Sequence, residues 1–396
     1  MKTAALLVLM LLALSSAAGA TGGRHHPLPS SEALDSATFL SPPFFLRPGS
    51  VANKYYHDIA FSRGNIAGFK GEVVDERGAP VPLHETYLRH WVVRSYYYAA
   101  ENATARPATI LARNAGVCEG DTHTATWLPD PYAVEAGDPA APPEGYVERW
   151  MLNVHAIDTR GTVDKVACTE CRYIHIGACS FAFDLHNWVF WHSDGRGIPG
   201  DYAGGLRCSY DQTRCKVEEG FAGGGEARKL FFRYTVVWLD WSDVAAAAAV
   251  VPVRIYIFDV THRAMPVGCM VEYDVEECSA TEKRAKSDCA RAREGDQAGA
   301  AAWRRPRDGR LLCKSTPIYG GGVEAGDEAG YVVGMTTCYP KLGTVRVRDG
   351  EVLTVVSNYS SERRHTGVMG LFAVLVADRP EQQPAAPSSS VSSNLL

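Results

Sequence analysis

Apolar and polar residues alternate with period two along most of this chain, and long stretches of helical period are hard to find. Alternation puts successive side chains on opposite faces of a strand, so the pattern predicts an all-β protein. Residues 70–93 read as a strand, a turn at Asp75-Glu76-Arg77-Gly78, and an extended run from His84 through Val93. Along that run His84, Thr86, Leu88 and His90 are expected on one face. Residues 233–241 and 253–260 are two strong strands, with the alanine tract 245–249 between them read as a loop. Residues 344–348 alternate charged and apolar side chains, Asp349-Gly350 supplies turn chemistry, and 351–356 resume, which predicts a hairpin. A final buried strand is expected at 370–377. This strand density favours two β-sandwich, jelly-roll-like domains in tandem, joined near the Gly-rich stretch 220–225. A single large sandwich or a propeller stays open, although no repeat recurs at blade length.

The length of 396 residues suits two or three domains, and 46 % apolar residues without a Gly-X-Y or heptad period exclude collagen, coiled coil and wholesale disorder. With Lys plus Arg at 40 against Asp plus Glu at 45, nothing in the charge asks for nucleic acid as partner. Lys2, an apolar run over 4–14 and Ala18-Gly19-Ala20 form a secretory signal peptide over residues 1–20. That run is too short for a bilayer, which needs about 20 residues, and no transmembrane span is expected elsewhere. A short segment 21–37 then precedes the first domain at 38–219, the second runs over 226–378, and the Gln-, Pro- and Ser-rich end 379–396 reads as a disordered tail. Export to the extracellular space makes the 11 cysteines read as disulfide partners. Cys168 and Cys171 form the one C-x-x-C, and no second pair stands at zinc-ribbon spacing, since Cys208 and Cys215 are seven apart. Asn102 and Asn358 open glycosylation sequons, as suits a secreted glycoprotein.

Twelve histidines pose the question of a metal, yet none lies between His262 and His365, and there is no His-x-His, the economical way for a strand to present two imidazoles. His84 and His90 would stand roughly 20 Å apart on an extended strand, too far for one ion. His155 sits in an apolar, strand-like context that suits a core histidine better than a ligand. Met369 is a thioether of the kind that suits copper(I), four residues after His365. His25-His26 would need cleavage directly before them to make an amino-terminal copper site. No nucleophile elbow, phosphate loop or H-E-x-x-H supports a hydrolase or nucleotide enzyme. Asp158, Glu170 and Asp240 are scattered and read as surface or turn carboxylates.

Several segments carry a family resemblance. They include Pro48-Gly-Ser-Val-Ala-Asn-Lys-Tyr-Tyr, Val81-Pro-Leu-His-Glu-Thr-Tyr-Leu-Arg-His-Trp-Val-Val, Leu152-Asn-Val-His-Ala-Ile-Asp-Thr-Arg-Gly, Cys168-Thr-Glu-Cys-Arg and Glu328-Ala-Gly-Tyr-Val-Val-Gly-Met. In order from about residue 38 to 378, they resemble the plant stress-up-regulated nodulins of the nodulin-nineteen type. The arrangement is more distantly similar to the copper type II, ascorbate-dependent monooxygenases, which carry one copper in each of two β-sandwiches. That resemblance implies His90, the second member of a His-His pair, and His155 as first-site ligands and Met369 as a second-site ligand.

The chain departs from that pattern in three places. Arg89 stands where the first histidine of the pair would be, and a guanidinium that stays protonated is a poor copper ligand. The stretch 290–307, where the resemblance puts His-x-His, is Ala- and Arg-rich without histidine. Residues 173–191 form an unmatched apolar run containing Cys179, and the family pattern expects cysteines where Tyr173 and Ser209 stand. The resemblance thus implies incomplete copper sites, a protein without catalysis, and a mis-joined exon or retained intron at one or both stretches. A cell-wall or small apoplastic ligand is the expected partner. The other reading is an active copper monooxygenase hydroxylating a secreted or cell-wall substrate, with His90, His155 and Met369 as ligands.

Overall fold

The structure is a computed structural model. It describes residues 34–101, 110–119, 125–138, 140–162, 217–218, 226–243, 250–259, 264–265, 268–269, 272–275, 300–304, 311–339, 344–348, 351–358, 365–369 and 371–377. The signal peptide, Asn102, the C-x-x-C, the run 173–191, the Gly-rich stretch and the tail lie outside them.

Among the described residues every regular element is a β-strand, so the protein is all-β. The first nine are β1 (Leu34–Leu40), β2 (Phe44–Leu46), β3 (Val51–His57), β4 (Gly64–Val74), β5 (Thr86–Ala99), β6 (Ile110–Glu119), β7 (Thr126–Trp127), β8 (Tyr132–Ala136) and β9 (Tyr146–Asp158). Then come β10 (Arg228–Leu239), β11 (Val251–Asp259), β12 (Ala264–Met265), β13 (Gly268–Cys269), β14 (Glu272–Val275), β15 (Ala300–Arg304) and β16 (Leu311–Ser315). The last are β17 (Pro317–Tyr319), β18 (Val332–Met335), β19 (Thr354–Asn358), β20 (His365–Met369) and β21 (Leu371–Ala377).

Two sheets face each other. One has the order β1-β10-β4-β8-β11-β21, with β2 added on β10 and β7 on β4; the other is β3-β9-β5-β6. Period-two alternation sets their inner faces: Leu230, Phe232, Tyr234 and Val236 of β10 meet Trp150, Leu152, Val154 and Ala156 of β9 in one core. Trp91 of β5 lies at its centre, edge-on to Phe69 of β4 and 5.2 Å from Phe232. Burying each such side chain contributes about 1.5–3 kcal/mol, so this core dominates stability.

Gly71 of β4 makes that centre possible. A Cβ there would stand 2.3 Å from Phe232 Cζ and 3.0 Å from Trp91 Cε2. Both rings are held by their neighbours, so Gly71→Ala is expected to cost about 1–3 kcal/mol through overpacking. Urea denaturation followed by tryptophan fluorescence measures it, and an unchanged midpoint would show that the rings have room to move.

β10 follows the stretch 220–225, yet it is hydrogen-bonded between β1 and β4, and β11 and β21 extend the same sheet through β8. The remaining strands form the small sheets β12-β13, β14-β20, β16-β15-β19 and β17-β18. A disulfide joins Cys313 of β16 to Cys338. This part touches the sandwich through Glu328, whose carboxylate accepts the Leu83 amide proton (3.1 Å), and through Tyr339, whose hydroxyl donates to the Trp127 carbonyl (2.6 Å).

The hairpin expected at 344–356 forms differently. A turn closes from the Glu351 amide to the Arg348 carbonyl, but 344–348 form no strand and β19 pairs with β15 instead. That partner comes from the stretch 290–307, and its ladder runs over five residue pairs. A full ladder satisfies more backbone groups than a short hairpin arm whose alternate side chains are charged.

Candidate functional site

His90 and His155 meet across two central strands. In the β5–β9 ladder Leu88 opposes Ala156 and His90 opposes His155, so Arg89 is the extra residue of a β-bulge. Leu88 and Trp91 both enter the core, which leaves Arg89 and His90 between two inward anchors. The bulge therefore overturns the expectation that Leu88 and His90 share a face: strict alternation fails at the one inserted residue. His84 also lies outside the strand, in the turn before Thr86.

His155 is only 2 % exposed, because β9 turns Val154 and Ala156 inward and the residues on its other face are covered at this end. The two imidazoles lie 5.0 Å apart, ring centre to ring centre, in an edge-to-face arrangement at 79°. Asn153, two residues before His155 and on its face, holds the neighbouring ring. Its Nδ2 donates to the Lys54 carbonyl (3.0 Å) and to Asn53 Oδ1 (2.8 Å), so its Oδ1 must accept from His90 Nε2 at 2.9 Å. His90 is thereby kept in the Nε2–H tautomer with Nδ1 as the lone-pair nitrogen. Asn153 was legible only as an i, i+2 neighbour, a spacing with no chemistry until the strand pairing is known.

Burial lowers the His90 pKa to about 4; the hydrogen bond to Asn153 works against that shift and the Arg89 charge adds to it. The folded form thus prefers the neutral ring, whereas the unfolded chain takes up a proton near pH 6.5. The stability this contributes is present above pH 6.5 and is lost as pH falls from there towards 4, by about 3 kcal/mol. His90→Gln is expected to flatten that part of the profile, read from urea midpoints at several pH values. An unchanged slope would place the acid sensitivity elsewhere.

The bulge thus brings two imidazoles and the Arg89 guanidinium to one place. Among the described residues no group of three His, Cys, Asp or Glu could hold a metal ion. Met369 is the last residue of β20, opposite Glu272 in the separate β14-β20 ladder, and its side chain is outside the described atoms, as is that of Asn358 at the end of β19.

Asp158, read above as a surface or turn carboxylate, is fully buried. Arg160 grips it with Nε on Oδ1 (3.0 Å) and Nη2 on Oδ2 (2.7 Å), and Arg228 Nη2 reaches Oδ2 at 3.3 Å. Arg228 also donates to Glu85 Oε2 (2.7 Å) and Thr86 Oγ1 (2.6 Å), tying the start of β10 to the start of β5. Partners 70 residues apart explain why spacing could not pair them.

A sequence model of one family, described as stress up-regulated Nod 19, matches residues 32–300 and 297–379. The chain belongs to the stress up-regulated Nod 19 family. The two matched stretches meet inside the Ala- and Arg-rich segment, and together they take in the bulge, both histidines, Asp158 and Met369. A search of curated proteins found no match. Within this family member the histidine pair is therefore part of the family-like chain, on strands built from two of the segments that carry the sequence resemblance.

Proposed function

We propose that this Nod 19 family member is a secreted, stress-associated protein on a copper-monooxygenase-like β framework that works by binding, without copper catalysis. The observation that carries this reading is Arg89 in the bulge beside His90. A permanent cation there repels a metal ion and lowers the basicity of the adjoining imidazole, while supplying no lone pair. Secretion is supported by the amino-terminal signal pattern and the cysteine-rich composition.

A second reading, a copper-dependent ascorbate-type monooxygenase, is favoured by the edge-to-face approach of His90 and His155 with a lone-pair Nδ1 on His90. Copper per chain, measured by elemental analysis on protein recovered from the medium of a secreting host, separates the two. Well under one copper per chain is expected. A ratio near two that falls in both His90→Ala and Met369→Leu would establish the oxidoreductase instead, and retention in the cell would remove the secreted part of the proposal.

A further inference from the structure

The outer face of the β3-β9-β5-β6 sheet changes character along its length. Around His155 it is covered, whereas towards the far ends of β5 and β9 it is open. There β5 presents Arg94, Tyr96 and Tyr98 at alternate positions, spanning about 13 Å at about 3.3 Å per residue. Arg149 of β9 opposes Tyr96 and lays its guanidinium over the Tyr98 ring at 4.3 Å. β3 adds His57 and Tyr55, the latter 58 % exposed.

The row is held in place from one side. Asp58, directly after β3, has a left-handed backbone (φ 62°), donates its amide proton to the Tyr96 hydroxyl, and sets its carboxylate 3.5 Å from Arg149. Tyr96 and Arg149 are thereby fixed before any ligand arrives. Arg94 is exposed and makes no ion pair among the described residues.

The local charge runs against that of the whole chain. The protein carries −5 with its histidines neutral, yet among the described strand residues this face offers Arg94 and Arg149, with the Asp58 carboxylate against Arg149. A flat, pleated surface of tyrosines and arginines suits an extended ligand with alternating apolar faces and negative charges. Sugar rings offer C–H faces to aromatic rings, and carboxylates offer paired oxygens to guanidinium groups. A pocket-bound small molecule would need a concavity, and these side chains stand on a sheet face.

We infer that this face binds an acidic polysaccharide, a chain of uronate sugars, with Tyr55, Tyr96 and Tyr98 against the sugar rings and Arg94 and Arg149 on the carboxylates. The inference is independent of the state of the histidine pair, which lies further along β5 and β9; Tyr55, opposite Asn153, is the proposed contact nearest to it.

The test uses the full secreted protein in affinity electrophoresis through gels containing polygalacturonate or the neutral polymer hydroxyethylcellulose. Retardation by polygalacturonate alone is expected. It should weaken as ionic strength rises from about 0.01 M to about 0.15 M, where screening shortens from about 30 Å to about 8 Å. Arg94→Gln combined with Tyr55→Ala, two exposed positions, is expected to weaken the apparent Kd about tenfold or more at an unchanged melting temperature. Retardation equal in both gels would assign the face to neutral glycans and overturn the proposal, and so would binding unaffected by the double substitution. Equal binding to phosphatidylserine vesicles would also overturn it, in favour of general anion attraction. Arg149→Gln is the second variant, and retained binding in it together with the first pair would exclude this face altogether.

Discussion

Asp158→Ala destabilises the protein by about 3–5 kcal/mol, the largest single-residue loss expected outside the aromatic core. The magnitude follows from what is left behind. Asp158 is fully buried, and its two oxygens receive the guanidinium of Arg160 and one arm of Arg228. Without the carboxylate, Arg160 loses its bidentate partner beside the Arg228 cation, which keeps Glu85, at the junction of β9, β5 and β10. Backbone bonds of the same residue tie in the start of β3: its amide donates to the Ser50 carbonyl, and its carbonyl accepts from Gly49. Those bonds survive in alanine, so loss of the carboxylate should loosen chiefly the ends of β9, β5 and β10. Urea denaturation gives the size of the effect, and a shift worth under about 1 kcal/mol would show the cluster to be a solvated surface network. Asp158→Leu with Arg160→Met is expected to recover much of the loss, since Arg228 keeps Glu85 and well-packed apolar replacements of a buried pair are often neutral. Recovery in the pair and not in either single variant identifies charge burial, and not lost packing, as the cause.

Trp91→Ala is expected to cost about 3–5 kcal/mol as well, by a different mechanism. The indole is 1 % exposed between Phe69, Phe232 and the space over Gly71, so truncation opens a cavity that the surrounding rings cannot fill. Trp91→Phe should cost much less than Trp91→Ala, because the indole N–H has no hydrogen-bond partner among the described residues and its loss leaves nothing unsatisfied. The substitution also reaches the histidine pair. Trp91 is the inward anchor directly after His90, and with Leu88 it holds the bulge that turns His90 towards His155. Histidine proton resonances that broaden or shift in Trp91→Ala but not in Trp91→Phe would connect the core to the site. Identical histidine spectra in all three proteins would show the bulge to be held by the ladder alone.

A bulge and an ion cluster mark the boundary between what the chain states and what it leaves open. Period-two alternation in 233–241 and 253–260 was sufficient to predict β10 and β11, because on a half-buried strand the side-chain pattern is the burial pattern. The segments quoted for the family resemblance likewise lie within the stretches that the family's sequence model matches. His90 and His155 were both legible as candidates, one from the resemblance and one from its apolar strand context.

Their meeting was not legible. It depends on the register of β5 against β9 and on the inserted Arg89, and register is a relation between segments more than 60 residues apart that neither segment encodes alone. The pairing of 354–358 with β15 instead of with 344–348 is a choice of the same kind, between a local and a distant partner. The burial of Asp158 against Arg228 is another, since a carboxylate reads as solvated until its partners arrive from 70 residues away. The sequence by itself determined the all-β class, the family and the candidate histidines, because alternation and motifs are local properties. Only the tertiary structure decided which strands pair, which carboxylate is buried and which face stays open, because each of these is settled by free energy shared between distant segments.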